Sequence, residues 1–350
     1  MPRPRIRHLL VIRSSAMGDV AMTVRLISAL VKRHHTLKVT LLTKPAFAPF
    51  FADIPNVTVK QLDTENAHKG VRGLWLLFKE LKGEKIDAVA DLHNVLRSNI
   101  LKVFFKLNRI PFQQIDKGRA EKKALTREKA KVFKPLTTTH QRYVDVVKRL
   151  GLSVKPRAYD VLDKKELSSE ASSLLGEKQE RWVGIAPFAK HEGKQYPINR
   201  VTDIIEILNK REDINILLFG GGAKEVELLS AIAEKYTKVT CIAGKFSFKD
   251  ELAIISQLDT MMAMDSGNGH IAAMYGVPVI TVWGVTHPYA GFTPFNQPTE
   301  NQILPDLEEF PLVPTSVFGD RCPNGYENVM KSILPETIIE RLDKILKDSA

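Results

Sequence analysis

One rhythm constrains this chain more than any other feature: short apolar runs alternate with longer stretches whose apolar residues recur at helical spacing, and the pattern occurs twice. In the first half, residues 8–12 (HLLVI) read as a buried strand, and residues 20–30 as a helix carrying Val20, Val24, Ile27 and Leu30 on one face, continued by Val31. Residues 38–42 give a second strand and 87–90 a third, with helices expected over 71–81, 98–107 and 140–150. In the second half, strands are expected at 182–186, 214–219, 239–243, 260–264 and 279–283, with helical segments between them. A strand-then-helix order predicts parallel sheets covered by helices on both faces.

A length of 350 residues exceeds what one ordinary core supports, so the repeat of the rhythm reads as two domains. The expected class is α/β, with two Rossmann-like domains at 1–155 and 179–334, a linker at 156–178, and a closing amphipathic helix at 335–350. That helix sets Ile338, Ile339, Leu342, Ile345 and Leu346 on one side and needs a surface to cover. Between residues 116 and 139 the periodicity fails, and the Lys/Arg-rich stretch KGRAEKKALTREKAKVFKP reads as a mobile basic loop or a marginal helix. The basic start is followed by only four apolar residues before Arg13, too few for a signal peptide's apolar core or a membrane span. Cys241 and Cys322 form neither a metal-ligand spacing nor a disulfide framework, so a reducing cytoplasm is the expected compartment.

The net charge of +11 is unevenly divided. Residues 1–150 carry 30 Lys/Arg against 12 Asp/Glu, a balance of +18, which leaves −7 for the remainder. A basic half suggests an anionic partner (nucleic acid, anionic lipid or a phosphorylated substrate), the alternative being a solvated surface with no partner.

Four stretches carry candidate chemistry, each at the end of an expected strand, where open α/β sheets bind ligands. In DSGNGH (265–270), Gly267 and Gly269 would let the backbone turn and approach a ligand, and Ser266 would cap the following helix, whose N–H groups could cradle a phosphate. Asp265 would be repelled by a diphosphate, so it suits neutral hydroxyls such as those of a sugar. A plain Gly-rich turn with an Asp/Ser cap explains the same residues. In LLFGGGAKEVE, three glycines match neither a dinucleotide nor a P-loop spacing. Glu225 or Glu227 could hold ribose hydroxyls, or simply favour the helix dipole. In GIAPFAKHEGKQYP, Lys194 could neutralise a diphosphate leaving group, given that no D-x-D pair exists to seat a divalent cation; an exposed loop lysine is the alternative. In IRSSAMGDVAMT, Gly18 and Asp19 stand at a helix entrance, where Asp19 is either a general base or a capping aspartate.

Taken with DAVADLHNVLRS (87–98) and the composite run AGKFSFKDELAIISQLDTMMAMDSGNGHIAAMYGVPVITVWGVTHP, these stretches resemble, in order and over nearly the full length, the bacterial lipopolysaccharide heptosyltransferases of glycosyltransferase family nine. The resemblance implies a GT-B fold: two Rossmann-like domains facing a central cleft, the donor nucleotide sugar on the second and the acceptor on the first, with the closing helix crossing back to the first. It implies inverting transfer of a heptose from an ADP-linked donor to a lipopolysaccharide or lipooligosaccharide core, without metal or separate cofactor. By position, Asp19 matches the catalytic base and Lys194 the lysine on the diphosphate. Asp265 matches the acid holding donor sugar hydroxyls, and Ser266, Gly267, Gly269 and His270 the phosphate-side turn. Glu225 or Glu227 matches the ribose-binding glutamate, the register being open. Candidate acceptor contacts are Ser15 and Gly18, then His93 and Arg97, then Arg119 and Lys122 of the basic stretch. Two departures touch the donor side: Phe188-Ala189 replaces small hydroxyl residues of better-known members, and Tyr196-Pro197 replaces the usual Trp-Pro.

The partners implied are a nucleotide-sugar donor, a phosphorylated glycolipid acceptor and the anionic inner leaflet, with the protein peripheral to the membrane and monomeric. Two other readings exist. A Rossmann oxidoreductase would want G-x-G-x-x-G after strand one, where the chain has SSAMGD; a nucleic-acid-binding protein would want aromatics interleaved with the basic stretch, or a known module.

Overall fold

The structure is a computed structural model that describes residues 6–348. The extreme ends of the expected first domain and closing helix (1–5 and 349–350) lie outside the described residues. The chain divides into two compact units: one takes residues up to Lys117 together with Thr139–Leu162, the other takes Gly118–Thr138 and everything from Asp163 onward.

The first unit is a five-stranded sheet of β1 (His8–Ile12), β2 (Lys38–Thr43), β3 (Val57–Gln61), β4 (Ala88–Asp91) and β5 (Phe112–Gln114), in the order β3-β2-β1-β4-β5. Every pairing is parallel, with Ile12 opposite Leu42 on one side and Asp91 on the other. β1 and β4 are continuously apolar up to Asp91 because helices cover both faces, leaving no solvated side to require alternation. The helices are α1 (Met17–Arg33), α2 (Gly70–Gly83), α3 (Leu96–Leu107) and, after an excursion into the other unit, α5 (Thr139–Arg149). β3 and β5 were not anticipated from the sequence: β3 is a half-exposed edge with mixed polarity, and β5 has three residues, too few to show a period.

The second unit is a six-stranded parallel sheet of β6 (Arg181–Ala186), β7 (Ile214–Leu218), β8 (Val239–Cys241), β9 (Thr260–Met264), β10 (Val279–Val282) and β11 (Gln302–Ile303), in the order β11-β10-β9-β6-β7-β8. Its helices are α4 (Arg119–Thr126), α6 (Ser169–Leu175), α7 (Ile198–Asn209), α8 (Ala223–Ala233), α9 (Phe248–Ser256), α10 (Gly267–Met274) and α11 (Pro335–Asp348). In both sheets the strand order reverses once, between β1 and β4 and between β6 and β9, and each reversal opens a crevice beyond the carboxyl ends of those strands.

Two placements differ from the sequence reading. The closing helix was expected to cross to the first domain. Instead Ile338, Leu342, Ile345 and Leu346 are buried in the second unit's core, and Arg211 after α7 pairs with Asp343. At roughly 1.5–3 kcal/mol per fully buried aliphatic side chain, this seat decides the position of a 14-residue helix that would be marginal alone. The basic stretch, read as a mobile loop or a marginal helix of the first domain, belongs to the second unit and takes the helical alternative over Arg119–Thr126. It forms α4 and seats Leu125 and Leu136 against Ala290, with the Leu136 N–H donating to Tyr289 O.

Candidate active site

At the first unit's strand reversal, the loop after β1 meets the loop after β4. Arg13, which the sequence reading treated only as the end of an apolar run, places Nη2 2.5 Å from Asp19 Oδ2 and donates from Nη1 to Leu92 O at 2.8 Å. One guanidinium thus ties the acid of α1 to the loop that precedes α3, in a bond type about twice as strong as a neutral one. Asp19 is not a helix cap: Ala16 holds that position without a side-chain bond, and Asp19 lies in the first turn, where the helix dipole favours an anion. Its carboxylate is a quarter exposed, while Arg13 beneath it is buried.

The loop after β4 is shaped by Asp91. This fully buried carboxylate accepts from the His93 and Asn94 N–H groups at 2.9 Å through Oδ1, and from Gln114 Nε2 at 2.8 Å through Oδ2. His93 Nδ1 in turn lies 3.0 Å from Ser14 Oγ. Burial, with Arg13, Lys117 and Arg97 nearby, pushes the His93 imidazole down to about 3, so it is a neutral hydrogen-bonding group at physiological pH. Ser15 and Gly18 are half-buried on the same β1–α1 connection, and Arg97 is exposed at the start of α3. The first unit therefore gathers Asp19, Ser15, Gly18, His93 and Arg97. Arg13, Ser14 and Asp91 were missed, because short polar residues next to a strand carry no periodic signal.

The second unit's strand reversal gathers the donor candidates. Lys194, in a 3₁₀ turn (Glu192–Lys194) of the loop between β6 and α7, places Nζ 3.2 Å from Asp265 Oδ2 at the end of β9. Thr286, fully buried beyond β10, donates its hydroxyl to the same oxygen at 3.0 Å. The sequence assigned the lysine and the acid separate duties; the fold pairs them, both nearly buried. Backbone packing fixes the lysine's approach. Val285 N–H donates to Gly193 O at 2.8 Å, and a Cβ on Gly284 would stand 2.1 Å from that carbonyl. Gly319, at φ +83°, lies so close to the lysine stem that a Cβ there would meet Lys194 Cγ at 2.4 Å. The turn carrying Gly319 is held by Ser316 Oγ, which accepts from the N–H groups of Phe318, Gly319 and Asp320. No motif pointed to residues 316–320.

Several details of the glycine turn differ from expectation. Ser266 occupies the N-cap position of α10 without a capping bond, and its Oγ is buried with no partner. Neither Gly267 nor Gly269 adopts a positive φ. Gly269 instead gives α10 room to pack, since a Cβ there would meet Val279 at 3.3 Å. His270 is buried within the helix. Of the two glutamates, Glu225 turns back to accept from Gly221 N–H at 2.7 Å, while Glu227 is exposed. Ala189 is buried, and its carbonyl accepts from Gln195 Nε2 at 2.7 Å. The Tyr196 substitution has a structural reason: its hydroxyl donates to Ile333 O at 2.8 Å from inside the core, and burial raises the phenol to about 12.

Arg119 and Lys122, expected among the acceptor contacts of the first domain, belong to the second unit through α4. Arg119 is exposed, and Lys122 Nζ lies 4.1 Å above the Phe292 ring. Lys131 anchors the same segment by donating to Leu312 O and Pro314 O, and Phe133 packs on His287 and Tyr289.

Comparison with known proteins places the chain in a family. Residues 74–312 match the model of glycosyltransferase family 9 (heptosyltransferase). The chain is 24% identical over 285 residues to the lipopolysaccharide core heptosyltransferase OpsX of Haemophilus influenzae, covering 81% of this chain and 80% of that one. Its fold is shared by a family 9 glycosyl transferase from Veillonella parvula, with a TM-score of 0.73 at 17% identity over 98% of both chains. It is also shared by the Escherichia coli heptosyltransferase WaaC with ADP, with a TM-score of 0.67 at 18% identity over 97% of this chain and 99% of that one. The expected α/β fold of GT-B type, with two parallel Rossmann-like sheets, is the one this chain adopts. The chain belongs to glycosyltransferase family 9 and is a glycosyltransferase.

Proposed function

We propose that this enzyme transfers a heptose from ADP-heptose to a lipopolysaccharide or lipooligosaccharide core acceptor, in one inverting, metal-independent displacement. The observation that carries this reading is the Lys194–Asp265–Thr286 cluster at the β6/β9 reversal, a cation and a carboxylate held together beyond the carboxyl ends of the strands. The naming of OpsX as a lipopolysaccharide core heptosyltransferase and the ADP in the WaaC structure support the choice of acceptor and nucleotide.

In this mechanism Asp19, oriented by Arg13, takes the proton of an acceptor hydroxyl as that oxygen attacks the anomeric carbon. Lys194 stabilises the negative charge that builds on the departing diphosphate. A bound diphosphate competes with Asp265 for the lysine; as the ammonium shifts, the carboxylate, still held by Thr286, becomes available to sugar hydroxyls. Glu225 serves the ribose if it gives up Gly221, and Glu227 is the exposed alternative. Since His93 is neutral, positive charge for the acceptor's phosphates falls to Arg97, Arg119 and Lys122. Among the described residues no helix is long and apolar enough to cross a membrane. A cytoplasmic, monomeric enzyme peripheral to the inner leaflet fits a lipid-linked acceptor.

Asp19→Asn tests the base: turnover should fall on the order of 10²-fold or more, with donor binding nearly intact. Unchanged turnover rejects the role. A thermal-shift panel of ADP, UDP, GDP, NAD and an RNA oligomer tests the ligand class, and a response confined to NAD or RNA rejects the transferase chemistry.

A further inference from the structure

The first unit carries an apolar surface that neither its core nor the site accounts for. On α3, Leu96, Val103 and Leu107 recur at helical spacing along one side, with Ile100 between them half-buried against the core. Leu96 and Leu107 are each 77% exposed and Val103 54%. α2 lies alongside. Trp75 stacks edge-on against Phe104 at 5.1 Å, Lys82 Nζ donates to Asn108 at 2.7 Å, and Val71 and Leu76 are exposed beside Trp75. The two helices thus present a joint face of large apolar side chains to water. Exposed apolar side chains on two neighbouring helices, bridged by Trp75 against Phe104, are of the kind that marks an interaction surface.

Its rim tells which partner fits. Along α2 and α3 the charged residues are Arg72, Lys79, Lys82, Arg97, Lys102 and Lys106, against a single acid, Glu80, which is neutralised by Lys60 at 2.6 Å. Lys79 Nζ lies 5.7 Å from the Trp75 ring centre, so cation and aromatic stand together. An apolar strip bearing a tryptophan and bordered by cations matches an anionic bilayer surface, where apolar side chains enter the headgroup boundary and lysines meet lipid phosphates. A second copy of the chain would bring the same cations against each other.

We propose that the α2/α3 face is the surface by which this protein docks on an anionic phospholipid membrane, with Trp75, Val103 and Leu107 as the inserted residues. This rests on and deepens the reading of a lipid-linked acceptor, and it places the membrane contact outside the basic stretch 118–138, whose Phe133, Leu136 and Lys131 are engaged within the second unit.

The three tryptophans make the test direct: Trp182 and Trp283 are fully buried, so a fluorescence change on binding reports Trp75. The full-length protein is titrated with vesicles of phosphatidylcholine containing about a third phosphatidylglycerol, and with pure phosphatidylcholine, at low and high salt. Expected are a blue shift and co-sedimentation with the anionic vesicles, weakened by salt but not by addition of ADP. Trp75→Ser combined with Val103→Ser and Leu107→Ser should lower the partition at least tenfold. Lys79→Glu with Lys106→Glu should abolish the preference for anionic lipid. Because these side chains are exposed, the variants should keep the wild-type circular dichroism and their turnover on a soluble, delipidated acceptor. Binding unaffected by the apolar substitutions overturns the proposal. So does a concentration-dependent dimer, seen by sedimentation velocity, that those substitutions dissolve while vesicle binding is absent. Vesicle binding without transferase activity would instead refute the proposed function and leave the docking face standing.

Discussion

The energetic weight of the Lys194–Asp265 pair depends on the two groups being buried together. At 3.2 Å, with an effective dielectric constant of about 20, the gross attraction is about 5 kcal/mol, most of it offset by the cost of removing both charges from water. Removing one partner alone is different in kind. Lys194→Met leaves the Asp265 carboxylate with only the Thr286 hydroxyl near that oxygen, and breaking a buried pair in this way costs about 3–5 kcal/mol. Asp265→Asn keeps a group able to accept from Thr286 but strands the ammonium, at a comparable or smaller cost. The double variant strands neither charge, so its loss should fall short of the sum by roughly 1–3 kcal/mol. Chemical denaturation followed by tryptophan fluorescence suits the measurement, since Trp182 and Trp283 are both buried in the second unit. Two outcomes refute the argument: additivity within about 0.5 kcal/mol, or a Lys194→Met loss below about 1 kcal/mol, the range of an exposed pair. ADP binding gives a second readout. Asp265→Asn removes the diphosphate's rival for Lys194, so ADP affinity should hold or rise while turnover falls, whereas a parallel fall in both would mean that the acid supports nucleotide binding directly.

Two further outcomes follow from the geometry. Gly284→Ala forces a Cβ to within 2.1 Å of a backbone carbonyl that cannot swing away, so it should cost more than about 3 kcal/mol or prevent folding; a variant melting within a few degrees of wild type would show that the 193–194 turn is not pinned there. Burial, with Lys131 nearby, lowers His287 from 6.5 to about 4, so the unfolded chain binds the proton more readily than the folded one. Stability should therefore decline as pH falls from about 6.5 towards 4, and His287→Asn should lose that part of the acid slope while a slope identical to wild type would discount the shift.

Much of this protein is written in its local sequence. Strands buried on both faces must be continuously apolar, and helices on a sheet must repeat every 3.6 residues, so β1, β2, β4 and the second-unit strands β6, β7, β9 and β10 were legible within a residue or two, as were α2, α3 and α11, while α1 begins three residues before the expected start. The turns that follow β1, β6, β7 and β9 were legible as candidate sites because they set glycines and charged residues at the carboxyl ends of strands, where open α/β sheets bind ligands, although helix caps and exposed loop residues use the same side chains. Asp19, Lys194 and Asp265 could be singled out from the sequence, while the residues that contact them could not. Arg13 looked like the end of an apolar run, Thr286 like part of a signature, and the turn around Gly319 like featureless loop; each matters because folding sets it against another element, Arg13 at 2.8 Å from Leu92 O, Thr286 at 3.0 Å from Asp265, and Gly319 against the Lys194 stem.

The sequence by itself determined the α/β class, the two-sheet organisation, the family and the side chains available for catalysis, since period, composition and motif order are properties of neighbouring residues. Only the tertiary structure decided the strand order that opens a crevice at β1/β4 and at β6/β9, the joining of Lys194 to Asp265, and the transfer of residues 118–138 and of α11 to the second unit. Those outcomes rest on which surfaces bury each other, and burial is settled by packing between distant segments, where a 3.6-residue or two-residue period has nothing to say about the partner.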